Sequence, residues 1–380
     1  MDSRARFTKC RSSLSAALLA AVAIGLSGCG SPPPEPDDEP GYPPSEPPLK
    51  CNYPTSGPKP VVPDLLASDP YLSAVGILEQ REIEDDVEQR EIEDDVEQRE
   101  IEDDERWVPF CTGSLIGVKT VLTAYHCVKG SKGKDVRFRL SSNLKSGMGS
   151  SINVLNSDRD RNSPLDGGYM NQGSDVAVME LEAEADGPIE PLDVRVLDMH
   201  RVGKDEPFYG VGYYFQRNGT IPDGARRIAG FTLRATDGRF LEDAFLTKEN
   251  FEQCSAAARL TPKISALSLS GGPFWIRCPL SISDDGQSGF PSIEDAYQQK
   301  LLRGYQVWLD DGPDGAQPCK GDSGGPLLRQ TERGLAVYGV LSGSVSLVGS
   351  DSSGCGFGAV YSIVAPKTLK WLQDEHHLRR

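Results

Sequence analysis

From about residue 61 to the C-terminal tail the sequence predicts an all-β domain, a sandwich or barrel of many short strands. Short alternating or apolar runs recur there, among them "LSAVGIL", "GSLIGVKTVLTA", "DVAVMEL", "PFYGVGYY", "RGYQVWL" and "LAVYGVLSG". Glycine and polar turns separate them, and a helical pattern is found only near the end. There Pro366 stands where a first helical turn accepts it, with Leu369, Trp371 and Leu372 to supply an apolar side. The length of 380 residues allows two domains and 38% apolar residues supply a core, but the composition is uneven along the chain.

The first 28 residues read as a secretory signal: Arg4, Arg6, Lys9 and Arg11, then the apolar run "LSAALLAAVAIGL", then the small residues Ser27 and Gly28. The run is too short for a usual membrane span. Leu26, Ser27, Gly28 and Cys29 resemble a bacterial lipobox, which implies acylation of Cys29. Several acyl chains would anchor the protein stably, at about 0.8 kcal/mol per buried methylene. The expected location is the bacterial cell envelope, and the outer membrane in a Gram-negative cell, because Gly30 and not aspartate follows the cysteine. Residues 29 to 60 include "GSPPPEPDDEPGYPPSEPP", too rich in proline for a helix or a core, and read as an extended tether.

"EQREIEDDV" occurs at 79–87 and 88–96 and returns without its valine at 97–104. A nine-residue period is too short for a solenoid unit, so 79–105 is expected to be a solvated insertion, partly helical or disordered. Docking of a partner or of a hard cation is the other reading, although no EF-hand pattern is present. Its sixteen acids and three arginines carry −13 of the chain's net −16, which leaves the remainder at −3. Overall acidity therefore says little about the substrate, and nothing offers the basic face that nucleic acid requires.

Nine cysteines are present. Cys10 falls in the signal and Cys29 is assigned to lipid, leaving Cys51, Cys111, Cys127, Cys254, Cys278, Cys319 and Cys355. Export permits disulfides, an odd count leaves one cysteine over, and the lack of any CxxC pair argues against zinc. No metal and no cofactor are expected. Of the four histidines, His376, His377 and His200 stand in polar or charged settings. His126 follows the strand-like "TVLTA" and precedes Cys127, where a bridge would stiffen its loop; with suitable partners it becomes a general base. One partner is offered by "KGDSGGP", Lys320 to Pro326, in which glycines around Ser323 permit a tight turn. Such a turn can aim the N–H groups of Gly321 and Ser323 at one point, as an oxyanion hole does.

These residues carry a family resemblance. "LTAYHC", "SDVAVMEL" and "CKGDSGGPL" resemble, in that order, the histidine, aspartate and serine motifs of chymotrypsin-like (trypsin-family) serine endopeptidases, with the similarity running over roughly 61–376. Tyr125 departs from the small residue usual before the histidine. The resemblance implies two six-stranded antiparallel Greek-key β-barrels with a C-terminal helix and a short tail at 377–380. It implies Ser323 as nucleophile, His126 as general acid and base, and Asp175 as the group that orients the imidazole. It further implies bridges Cys111–Cys127, Cys254–Cys278 and Cys319–Cys355, leaving Cys51 odd.

Carried over in the same way, Gln317 stands at the base of the primary pocket, Ser342, Gly343 and Ser344 along the cleft, and Ala359 at a wall. Gln317 replaces the aspartate that selects Arg or Lys, so a neutral pocket is expected, and peptide or protein is the expected substrate. Asp322 is the expected partner of a new N-terminal amine, yet "VVPD" at 61–64 matches the usual mature start poorly and follows Lys59-Pro60. A different activation route, or a persisting zymogen, follows from that mismatch. The resemblance places the acidic repeat at a hairpin tip in the first barrel. A surface binding module that is never activated and an esterase are the alternative functions.

Overall fold

The computed structural model describes residues 70–81, 107–131, 135–146, 149–168, 172–187, 189–203, 206–214, 216–217, 224–245, 247–252, 294, 297–310, 316–345 and 357–378. The signal segment, Cys29, the tether, Cys51, residues 82–106 of the acidic insertion, and Cys254, Cys278 and Cys355 lie outside the described residues.

The first barrel is formed by β1 (Val75–Arg81), β2 (Trp107–Leu115), β3 (Thr120–Thr123), β4 (Val136–Leu140), β5 (Ser150–Arg159) and β6 (Ala177–Leu181), with the helix α1 (Tyr125–Gly130) after β3. Its strands close in the order β1-β2-β3-β6-β5-β4, and every neighbouring pair is antiparallel. The second half comprises β7 (Asp193–Val194), β8 (Pro207–Gly212), β9 (Gln216–Arg217), β10 (Arg227–Ala235), α2 (Phe240–Phe245), β11 (Gln306–Asp310), β12 (Ala316–Gln317), β13 (Pro326–Thr331), β14 (Gly334–Val345), β15 (Phe357–Ile363) and α3 (Pro366–Glu375). Six of these strands form the ring β13-β8-β10-β11-β15-β14, closed by the β13–β14 pairing, while β7 lies parallel to β14 and β9 pairs with β12. Numbered within each ring, both barrels follow the same order, 1-2-3-6-5-4. Closure removes the open edges that a sheet would otherwise expose.

Strand burial follows the period of two where one face meets solvent and loses it where both faces are covered. In β4, Val136, Phe138 and Leu140 point inward while Arg137 and Arg139 keep some exposure, whereas all five residues of β11 are buried. Helix α3 buries Thr368, Trp371 and Leu372 behind Pro366 in its first turn, close to the side expected from the sequence. The six-residue helices α1 and α2 are not evident in the sequence pattern, being too short to show a period.

The acidic insertion begins later than its sequence suggests. Arg81 pairs with Trp107 at the end of the β1–β2 hairpin, so the first three residues of the repeat, Glu79 to Arg81, belong to β1. Glu79 is buried because β4 presents two arginines to it: Arg137 Nε donates to Oε2 at 2.7 Å and Arg139 Nε to Oε1 at 2.8 Å. Such a fork satisfies a carboxylate that burial alone would penalise. Trp107 packs on this cluster, 4.3 Å beneath the Arg137 guanidinium.

Inside the first barrel, Gly76 of β1 faces Gly113 of β2, and the ring of Phe138 fills the space both leave. A methyl on Gly76 would stand 2.6 Å from Phe138 Cζ and 2.7 Å from Arg139 O. Gly76→Ala is therefore expected to lower unfolding free energy by about 1–3 kcal/mol in a denaturant titration. Adding Phe138→Leu is expected to recover part of that loss; no loss in the single variant would show that the ring moves freely.

Candidate active site

The seam between the barrels brings the expected histidine, aspartate and serine segments together. His126 sits in the first turn of α1, immediately after β3. Asp175, in the segment leading into β6, grips this residue twice: Oδ1 accepts the backbone N–H of His126 at 2.8 Å and Oδ2 accepts Nδ1–H at 2.7 Å. The grip fixes both where the imidazole stands and which nitrogen carries its proton, leaving Nε2 as the basic atom. Tyr125 N–H donates to Asp175 O at 3.2 Å, and Asp175 N–H donates to Ser362 Oγ of the second barrel at 3.1 Å. The Asp175 side chain is 2% exposed and that of His126 is 26% exposed, so the carboxylate is shielded while the ring is reachable.

Ser342 lies on β14, where the resemblance places it along the cleft, but its hydroxyl turns to Asp175, 2.7 Å from Oδ2, and stands 2.7 Å from Gln172 Oε1. Gln172 has no sequence signal of its own. Tyr125 finds a partner in Arg159, whose guanidinium lies 4.7 Å from its ring centre. The expected Cys111–Cys127 bridge is present and ties β2 to α1 over a separation of 16 residues.

Ser323 stands half-buried in a turn bound to both barrels. Thr112 of β2 reaches across: its N–H donates to Ser323 O at 2.7 Å and its hydroxyl to Gly321 O at 2.8 Å. Gly324 N–H donates to Leu341 O at 2.8 Å, and Gly325 N–H to Asp322 O at 2.9 Å. Gly324 has φ +80°, and a Cβ there would lie 2.2 Å from Thr123 Oγ1 and 3.0 Å from Ala124 N. The serine turn therefore touches the strand end that carries His126, and only glycine permits that approach. Among the described residues, neither Gly321 N–H nor Ser323 N–H donates a hydrogen bond, so both remain available.

Asp322 is completely buried. Its Oδ1 accepts the N–H of Tyr213 and of Tyr214, each at 2.8 Å, and Oδ2 accepts Cys319 N–H at 3.0 Å. Burial still prevails over these three donors and pushes the carboxyl from 3.8 up to about 7. Cys319 is disulfide-bonded to a cysteine outside the described residues. The other pocket positions are placed less tellingly. Gln317 lies on β12 opposite Gln216, Ser344 pairs with Ala359, and Gly343 with Val360. Ala359 shares the inward face of β15 with Tyr361 and Ile363, so its side chain is part of the second barrel's apolar core.

A family model described as Trypsin matches residues 98–226. This segment is similar to trypsin, and the two closed antiparallel barrels of identical strand order agree with a trypsin-like fold. The matched segment carries His126 and Asp175, while Ser323 lies beyond it, just before β13 of the second barrel. A search of curated proteins found no match to the chain.

The raised carboxyl of Asp322 has a measurable signature. Between its ordinary 3.8 and about 7 the folded chain holds a proton that the unfolded chain has released, so stability falls as pH rises through that window. Asp322→Asn is expected to remove this slope in denaturant titrations at pH 5 and pH 8. An unchanged slope in the variant would assign the titration to another group.

Proposed function

We propose that the protein is a serine endopeptidase that hydrolyses peptide bonds through an acyl-enzyme, held at the bacterial cell envelope by lipid on Cys29. The observation that carries this reading is the double grip of Asp175 on His126, set beside a serine turn whose Gly321 and Ser323 N–H groups are open. Ser323 Oγ attacks the substrate carbonyl and His126 Nε2 takes its proton, later returning it to the leaving amine. Asp175 stabilises the imidazolium that forms in between, and the two open N–H groups receive the oxyanion. Gln317 makes the base of the primary pocket neutral, with Gly343 and Ser344 along the peptide-binding strand.

Labelling of the full chain in detergent by a fluorophosphonate probe is expected, with Ser323→Ala abolishing it and His126→Ala slowing it by about 10²- to 10⁴-fold. Labelling that survives Ser323→Ala would remove this serine from its role. In a fluorogenic peptide panel, substrates ending in Arg or Lys are expected to be poor; fastest cleavage after those residues would refute the neutral pocket. Incorporation of a clickable palmitate analogue that disappears in Cys29→Ala is the corresponding expectation for the anchor.

A further inference from the structure

We propose that Tyr213 and Tyr214 hold the nucleophile turn in working order in the uncut chain, so that acyl transfer at Ser323 requires no proteolytic release of a new N-terminus. This rests on Ser323 being the nucleophile of the preceding section.

The argument begins with Asp322, whose carboxylate sits beneath the serine and has no exposed surface. A buried carboxylate needs donors, and here the backbone provides three, two of them from consecutive residues, Tyr213 and Tyr214, on one oxygen. These donors come from the segment that leaves β8, not from a chain terminus. The segment is itself anchored in the opposite barrel. Tyr213 hydroxyl lies 3.1 Å from Val75 O and 2.7 Å from Ser141 O, and Arg226 Nη1 donates to Val75 O at 3.0 Å. Val75 is the first residue of β1, so the clamp is fastened where the chain enters the first barrel.

Tyr214 adds a second hold. A Cβ on Gly321 would stand 2.6 Å from both Cδ2 and Cε2 of the Tyr214 ring, so the ring lies directly on the glycine. Gly321 has φ +99°, and Thr112 fixes its carbonyl from the first barrel. Tyr214 thus binds Asp322 through its backbone and confines Gly321 through its side chain, which makes it a positioning residue for the oxyanion N–H. The sequence upstream fits the same conclusion. Lys50 and Lys59 are the basic residues of segment 30–78, and cleavage after Lys59 would leave Pro60, a secondary amine, as the new terminus.

The test uses the full chain carrying Lys50→Ala and Lys59→Ala, purified in detergent, checked for an intact mass and treated with fluorophosphonate, beside a sample subjected to limited proteolysis. The expected result is that the intact chain labels as fast as the cut one. Tyr214→Ala is expected to slow the maximal labelling rate by about 10- to 100-fold with little change in probe affinity, and Tyr214→Phe to restore most of that rate. Labelling that appears only after cutting overturns this inference alone. So does a Tyr214→Ala chain that labels like its parent; should that variant fail to fold, Tyr213→Phe, which removes only the hydroxyl bridge, must slow labelling for the inference to stand. No labelling of either form overturns the endopeptidase reading and this inference with it.

Discussion

Two carboxylates buried at the seam between the barrels, Asp175 and Asp322, must find hydrogen-bond donors away from water, and most of the site's geometry follows from how they do so. Asp175 belongs to the first barrel, yet the second supplies Ser342 to its carboxylate and Ser362 to its own N–H. Asp322 belongs to the second barrel, and the tyrosine whose N–H it binds is moored to carbonyls of the first. Each acid thus draws on both barrels, Asp175 directly through Ser342 and Asp322 indirectly through the mooring of Tyr213.

The repeated strand order explains why so much converges there. Each ring sends three strands out and brings three back, and the connections hold the candidate site: α1 after β3, the segment before β6, and the serine turn between β12 and β13. The barrels supply rigid ends and the short connections aim the side chains, a division of labour common where loops carry function on a fixed scaffold. Gly324 shows how little slack is left, since the serine turn meets the end of β3 at a distance that admits no side chain.

Much of this was legible in the sequence because each decisive residue sits in a local context that restricts it. "LTAYHC" and "KGDSGGP" announce a base and a glycine-permitted turn, and "SDVAVMEL" an acid ahead of a buried strand; all three meet at the seam. What escaped reading depends on pairings between distant segments. Glu79 looks like one more acid of a solvated repeat until β4 sets Arg137 and Arg139 against it. Ser342 has its strand right and its partner hidden, because the residue it serves lies 167 positions earlier in the chain. Tyr213 and Tyr214 read as ordinary ends of a strand, and their part appears only through backbone N–H groups, which every residue but proline possesses. Ala359 was expected at a wall and packs in a core, a matter of which face of β15 it occupies.

The place where the acidic repeat joins the barrel has a consequence for how such a protein can vary. Arg81 and Trp107 are cross-strand neighbours, so the segment between them starts and finishes at one fixed gate, and copies can be added or removed without shifting the register of β1 on β2. For a flexible loop, a further nine-residue copy costs only about 0.3 kcal/mol in closure entropy. Each complete copy brings five acids and one arginine, a change of −4 in charge. Copy number is thereby a dial for surface charge that can turn in fixed steps while the seam between the barrels stays as it is.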